Sequence, residues 1–193
     1  LLYGAVTTWQ LITSGPAPRR GPLTLAPMHI VDAPRYPWRA MLLDSARHFQ
    51  SPAAIARMLD WMAWHKLNVL QWHLTDDQGW RLPIDGYPRL ITVGAFRTAR
   101  DGTRYGGYYT HAEVRAIVAL AARRNITVVP EIEMPGHALS AILAYPWLGF
   151  AGVPDPAKVQ GDWGVFPSIY GVDDRTFAFL ETVLGQVMSL FPG

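Results

Sequence analysis

The chain contains no cysteine, so a disulfide framework, a cysteine zinc site and a thiol nucleophile are all excluded. That absence does not fix the compartment, because many secreted bacterial proteins also lack cysteine. Only 17% of residues are charged and the net charge is +2, with no run of Lys or Arg. A nucleic-acid partner therefore has no electrostatic basis. No stretch reaches the roughly 18 apolar residues of a membrane-spanning helix, so no membrane partner is expected. The opening Leu1-Leu2-Tyr3-Gly4 has no initiator Met and no basic segment, so no signal peptide can be read. No G-x-S-x-G, phosphate-binding loop or G-x-G-x-x-G occurs, which leaves hydrolase triads and nucleotide cradles without support.

What is present is a large apolar fraction, 50% of 193 residues, enough for a sizeable core in one domain, or in one domain plus part of another. Residues 1–13 read as the end of a helix with Val6, Trp9, Leu11 and Ile12 on roughly one side. Residues 14–37, rich in Pro, Gly and Arg, read as a linker, with a short strand possible over 28–31. A regular rhythm follows. A strand over 38–43 precedes Ser51-Pro52, an N-cap with proline at the first helical position, and a helix with Ile55, Met58, Leu59 and Met62 inward. The Trp61-Met62-Ala63-Trp64 segment of that helix reads as core packing. A strand over 69–73 is followed by Thr110-His111-Ala112-Glu113, a capping box opening a helix with Val114, Ile117, Val118 and Ala121 inward. A strand over 126–130 follows. Asp173 or Asp174 then starts a last helix, with Phe177, Leu180, Leu184, Val187, Met188 and Phe191 as its apolar face. Phe191-Pro192-Gly193 reads as its stop, and another strand is expected after Gly193.

Strands alternating with helices predict a parallel sheet with crossovers, an α/β fold. The connections 75–109 and 138–172 are far longer than the usual βα loop of about 2–6 residues, and both leave the carboxyl ends of strands. Three polar bursts end the apolar runs there: Leu43-Asp44, His73-Leu74-Thr75-Asp76-Asp77-Gln78-Gly79-Trp80-Arg81, and Glu131-Ile132-Glu133-Met134-Pro135-Gly136-His137. The carboxyl-end rim is where α/β enzymes keep their chemistry. Carboxylates, imidazoles, an arginine and tryptophans gathered there point to a sugar, since acids cleave glycosides and aromatic faces stack on pyranose rings.

Each burst also has a plainer reading. Asp76-Asp77 either does chemistry or caps the following turn, and two adjacent carboxylates need a donor or cation to stay ionised. Glu131 and Glu133, two apart, share a strand face, and His137 past the turn is placed to fold back onto Glu133. The alternative is that these acids and the imidazole satisfy backbone groups. Arg39 at the start of a buried-looking strand either grips vicinal hydroxyls with its fork or pairs with Asp44 or another acid. Tyr108 and Tyr109 either line the site or pack the loop. His48, His73 and His137 show no metal-ligand spacing, so no metal and no cofactor is expected.

On these three motifs, in this order, the chain resembles the β-N-acetylhexosaminidases of glycoside hydrolase family 20, chitobiases included. The first barrel strand is matched by Trp38-Arg39 through Leu43-Asp44-Ser45-Ala46-Arg47-His48-Phe49, the second by His73 to Trp80, and the third by Pro130 to His137. The resemblance implies a (β/α)8 TIM barrel, here a partial one of about three β/α units. The tail of a small α+β domain would occupy residues 1–20, and the barrel would run over 21–193. It implies exo-hydrolysis of terminal β-linked GlcNAc or GalNAc, with the substrate's own acetamido oxygen forming an oxazolinium ion. By position, Arg39 resembles the arginine on the sugar's O3 and O4, Asp76 the acid of the polar network, and Glu133 with His137 the pair that tunes the catalytic Glu. His73 and Trp80 are expected beside the substrate. Position 133 is Glu where the family pattern has Asp.

The family's catalytic Asp-Glu pair belongs at the end of a fourth strand, and no such dipeptide occurs in the sequence. The acid Glu and its partner Asp are therefore expected beyond Gly193. Residues 38–193 number 156, against roughly 250 for a whole barrel. The chain is expected to be the amino-terminal part of a longer enzyme, inactive alone, with an unpaired edge at its third strand. A non-catalytic carbohydrate-binding or scaffold protein derived from such a barrel is the alternative. A barrel glycosidase with an ordinary carboxylate nucleophile is a third reading. Periplasm or secretion is favoured by the resemblance only.

Overall fold

The computed structural model describes residues 1–14, 24–152 and 156–192. Helix α1 (Leu2–Thr13) comes first, and strand β1 (Ala40–Asp44), helix α2 (Pro52–Trp64) and strand β2 (Val69–His73) follow. Two ribbons then interrupt the crossover: β3 (Thr75–Asp76) with β4 (Gly79–Trp80), and, past helix α3 (Arg89–Thr92), β5 (Phe96–Thr98) with β6 (Arg104–Gly106). Helix α4 (His111–Arg123), strand β7 (Thr127–Glu131), helix α5 (Leu139–Ala144) and helix α6 (Asp174–Leu190) complete the order.

The helices start where the sequence places their caps. Ser51 accepts the Ala54 N–H at the start of α2, and Pro52 needs no donor there. Thr110 and Glu113 exchange both bonds of the capping box on α4. Asp173 accepts the Thr176 N–H ahead of α6.

Strands β1, β2 and β7 form one parallel sheet with β2 in the centre. Among the described residues β7 is one edge of this sheet and β1 is the other. Helices α2, α4 and α6 cover one face, the side of Leu43, Leu70, Trp72 and Val128. Ile55, Leu59 and Met62 from α2, Val114, Ile117 and Ala121 from α4, and Phe179, Val183 and Val187 from α6 fill that layer. Register puts Asp44 beside His73 and His73 beside Glu131, so the three strands end in polar residues at one level.

Several expectations are corrected. No strand forms over 28–31: Met28, Ile30 and Val31 are exposed and pair with neither edge of the sheet. The strands run 40–44 and 127–131, shifted toward the polar ends. Trp61 and Trp64 lie on the outer side of α2, exposed, while Met62 and Ala63 between them are buried. Of the α1 residues only Val6 is buried. The buried stripe of α6 is Thr176, Phe179, Val183, Val187 and Leu190, which leaves Phe177, Leu184 and Met188 outside. Phe179 decides that rotation by seating itself among Tyr87, Trp147 and Tyr170 at 4.8, 6.2 and 6.1 Å.

Part of the linker, residues 15–23, and with it the 20/21 boundary, lies outside the described residues. So does Gly193, the last residue of the helix stop and the point after which the fourth strand and the Asp-Glu pair are expected. Helix α6 itself ends at Leu190, ahead of Pro192, as that stop requires. Among the described residues, no helix is long and apolar enough to cross a membrane.

Candidate active site

The carboxyl ends of β1, β2 and β7 build a polar cluster centred on Asp76. Its carboxylate is buried, and each oxygen has two neighbours. Oδ1 accepts the Asp77 N–H at 2.6 Å and meets His137 Nδ1 at 3.2 Å. Oδ2 lies 2.7 Å from Arg47 Nη2 and 3.0 Å from His73 Nε2. Burying a carboxylate is costly unless charged groups and donors stand where its water would be. One guanidinium and two imidazoles stand around this one.

Arg47 is positioned by its own loop. Asp44 accepts its backbone N–H and one guanidinium nitrogen, both at 2.9 Å, and Gln78 accepts its Nε–H at 2.9 Å. Burial favours the neutral form of Asp44, but the two bonds from Arg47 outweigh it and hold the carboxyl below its ordinary range. Burial likewise works against the Arg47 charge, and the Asp44 bond with the charges of Asp76 and Asp44 raises its pKa.

His73 is buried between acids. Its Nε2 faces Thr75 O at 2.9 Å as well as Asp76, so that nitrogen carries the proton, and Nδ1 faces Glu131 Oε1 at 3.4 Å. Burial alone would lower its pKa. The Asp76 bond and the charges of Asp44, Glu131 and Asp76 overcome that and raise it. Beyond β7, the Glu133 N–H donates to Thr75 Oγ1 at 3.0 Å. Burial, then a hydrogen bond shared with Glu131, pushes the Glu133 carboxyl up against the opposing pull of His73 and His137.

The two adjacent aspartates divide the alternatives between them. Asp76 takes the cations. Asp77 accepts the Leu139 N–H at 3.1 Å, at the start of α5 rather than of the following turn. Its carboxyl is raised by burial, with the Leu139 bond opposing and the Asp76 charge adding to the rise.

Four expected placements are corrected, those of Arg39, Trp80, His137 and His73. Arg39 lies at the amino end of β1, roughly 16 Å of strand away from Asp44. Its guanidinium donates to Lys66 O at 2.7 Å, Tyr36 O at 2.7 Å and the Tyr3 hydroxyl at 3.0 Å. It satisfies carbonyls and fixes α1 rather than meeting the rim, because a residue before a parallel strand sits at the end opposite the chemistry. Trp80 is fully buried, donates to Leu82 O at 2.5 Å and packs toward Phe179, so it offers no face to a ligand. His137 turns to Asp76 and Asp77 rather than back onto Glu133. His73 stands behind Asp76 and contacts the cleft through it. Tyr109 packs: it is buried, bonded to Ser45 Oγ at 2.9 Å and tilted on Trp72.

Arg47, Gln78 and Arg81 carry roles that sequence reasoning does not assign them. Arg47 stands three positions past Asp44, just beyond the first polar burst, and that spacing is the available signal. Arg81 is buried with four carbonyl partners, those of Ser45, Ala46, Ala95 and Gly107, at 2.9, 2.6, 2.5 and 3.0 Å. Burial first, and the nearby Arg97 charge second, lower its pKa to about 10. It ties the loop that carries Arg47 to the β5–β6 ribbon. Gly79 is required beside it, since a Cβ there would sit 2.2 Å from the guanidinium.

A cleft of about 570 Å³ opens in front of this cluster, with Asp44, Arg47, Gln78 and His137 on one wall and Trp163 and Val165 at its lip. Two groups, His73 with Asp76 and Glu133, and Asp76 with Asp77 and His137, present ligand atoms within 4.8 Å of one another. Both depend on Asp76, whose Oδ2 already lies 2.7 Å from the Arg47 guanidinium, so a cation there would face an existing cation at close range. This donor set does not suit a metal.

A parallel sheet whose strand ends carry such a rim is the arrangement of an α/β catalytic domain. The chain belongs to glycosyl hydrolase family 20: the model of that family's catalytic domain matches residues 36–193. It is 47% identical over 173 residues to a beta-hexosaminidase of Porphyromonas gingivalis, covering 89% of this chain and 22% of that protein. It is 49% identical over 165 residues to a beta-hexosaminidase of Akkermansia muciniphila, covering 84% of this chain and 34% of that one. A mutant beta-hexosaminidase of Streptomyces plicatus, solved in complex with its product GlcNAc, superimposes with a TM-score of 0.77 at 44% identity, covering 84% of this chain and 32% of that one. The chain thus spans about a fifth to a third of the length of these relatives.

Proposed function

We propose that these residues form the sugar-holding and tuning part of an exo-β-N-acetylhexosaminidase, acting on β-linked glycosides that end in GlcNAc or GalNAc. The observation that carries this reading is the buried Asp76 carboxylate, which locks Arg47 and His137 on one wall of the cleft. Arg47 takes the role first expected of Arg39: its fork, held by Asp44 and Gln78, grips two neighbouring hydroxyls of the terminal sugar. His137, half-exposed with Nδ1 on Asp76, offers its other nitrogen to a catalytic carboxyl.

In the mechanism the resemblance implies, the sugar's acetamido oxygen attacks the anomeric carbon as the glycosidic C–O bond breaks. The leaving oxygen takes a proton from a Glu, and water later opens the oxazolinium ion with retention. The sequence holds no Asp-Glu dipeptide, so we place the acid Glu and its partner Asp beyond Gly193. The same reading makes β1, β2 and β7 three staves of a (β/α)8 barrel and assigns residues 1–20 to a preceding α+β domain.

The test is a titration of the protein with methyl β-GlcNAc and with its 4-O-methyl derivative, followed by NMR at the Arg47 Nε–H. Binding of the first and exclusion of the second are expected, since the fork needs a free O4 and an exo-site admits only an unsubstituted end. Equal binding of both, or of neither, would overturn the reading.

A further inference from the structure

The face of the sheet turned away from the helices carries polar side chains below the rim. Leu70 and Trp72 of β2 belong to the helix-covered core, so Gln71 and His73 stand on the opposite face. Register places Glu131 of β7 beside His73, and Val129 beside Gln71. Gln71 reaches diagonally to Glu131 and donates its Nε2–H to Oε2 at 2.6 Å. The other oxygen, Oε1, faces His73 Nδ1 at 3.4 Å. One carboxylate is thus fastened by an amide on one side and turned to an imidazole on the other. Neither Gln71 nor Glu131 lines the cleft. On the far side of the ring, Thr75 O accepts the His73 Nε2–H at 2.9 Å. Asp76 Oδ2 lies 3.0 Å from the same nitrogen and 2.7 Å from Arg47 Nη2, yet no donor is aligned on this buried oxygen among the described residues. Its burial is therefore offset by charge rather than by directed hydrogen bonds. A neutral His73 brings no charge to it. An imidazolium does, and that form needs a proton on Nδ1, the nitrogen turned to Glu131.

We propose that Glu131, held by Gln71, is a positioning residue of the sugar site: it keeps His73 doubly protonated, and the imidazolium holds Asp76 where it fixes the Arg47 fork. The inference rests on the reading that Arg47 grips the terminal sugar. Several groups face His73 from the elements around it. Asp44 stands at the end of β1, Glu131 on β7, Glu133 beyond it at 3.9 Å from Nε2, and Asp76 on β3. Arg47 and His137 face the ring across Asp76. Of the acids paired with the ring among the described residues, Glu131 alone is turned to Nδ1. A carboxylate at that place favours the charged ring, and the Gln71 bond keeps it from swinging away. Burial works against the charged ring, but the Asp76 contact and the charges of Asp44, Glu131 and Asp76 prevail and raise its pKa, in agreement with that state.

The experiment follows the two ring nitrogens of His73 by 1H–15N NMR across pH, and the affinity for methyl β-GlcNAc over the same range, in the wild-type chain, Glu131→Gln and Gln71→Leu. In the wild type the His73 midpoint is expected above the ordinary 6.5, with affinity falling through the same midpoint. Glu131→Gln is expected to move both midpoints down together by about one pH unit, the scale of a carboxylate at contact distance. Just below the midpoints its affinity should stay within about twofold of the wild type. Gln71→Leu is expected to move them the same way by less. An unmoved His73 midpoint in Glu131→Gln would overturn the inference. So would an equal loss of affinity at every pH, the mark of a merely structural role. Should Glu131→Gln fail to fold, Gln71→Leu decides by the same two outcomes. A wild type whose His73 titrates as expected but which binds no sugar would overturn the reading of Arg47, and with it the link from Glu131 to the sugar.

Discussion

Asp76 and His137 are 61 residues apart in sequence, and Oδ1 of one meets Nδ1 of the other at 3.2 Å. The contact joins the second polar burst to the third across the top of the sheet. It fixes which imidazole nitrogen remains free toward the cleft.

Replacing Asp76 by Asn keeps the volume and removes the charge. Arg47 and His73 then face an amide in a buried position, and removing one partner from such a pair typically costs about 3–5 kcal/mol. Arg47 retains Asp44 and is a quarter exposed, so a loss of about 2–3 kcal/mol is expected in urea unfolding, together with loss of sugar binding. A loss under about 0.5 kcal/mol would show that the carboxylate is not the centre of the cluster.

Arg47 and Arg39 provide a paired test of which arginine faces the sugar. Arg47→Ala is expected to weaken methyl β-GlcNAc binding at least about tenfold, the scale of a lost charged bidentate contact. Arg39→Ala should leave sugar affinity unchanged and release α1, seen as faster amide exchange over Leu2–Thr13. The reverse pattern would restore the placement first expected from sequence.

Stability should fall as pH rises through neutrality. The folded-state pKa of His73 is raised above the ordinary 6.5, so its contribution is fully present below that value and is lost as pH climbs through the folded value. Asp77 and Glu133, also raised, act in the same direction above their ordinary 3.8 and 4.5. Asp44, lowered, acts oppositely, and its contribution disappears only as pH drops below its ordinary 3.8. The urea midpoint should therefore decrease as pH rises above the ordinary 6.5 of an imidazole, and His73→Gln should flatten that slope. An unchanged slope in His73→Gln would remove His73 as its source.

Arg81 is held by four carbonyls and no carboxylate. A lysine cannot reach four directions, so Arg81→Lys is expected to cost about 3 kcal/mol and to speed amide exchange at residues 45–47. Gly79→Ala should behave similarly, because its Cβ would occupy the guanidinium's place. Wild-type stability in both variants would mean that the loop is held by other contacts.

The alternation of strands and helices, the caps at Ser51, Thr110 and Asp173, and the three bursts at the strand ends were legible along the chain, because periodicity and capping are local properties. The family was legible too, through motifs of contiguous residues. Which side of α6 turns inward was not, since apolar residues line two stripes and only the ring of Tyr87, Trp147 and Tyr170 around Phe179 selects one. The choice between Arg39 and Arg47 was equally hidden. Both flank the same five-residue strand, and the end of a parallel sheet that holds the chemistry is fixed by how the strands are connected. The separate tasks of Asp76 and Asp77, and the turn of His137 away from Glu133, emerge only from the folded arrangement. A buried charge takes whichever partners the fold brings within reach, and those partners stand dozens of residues away along the chain.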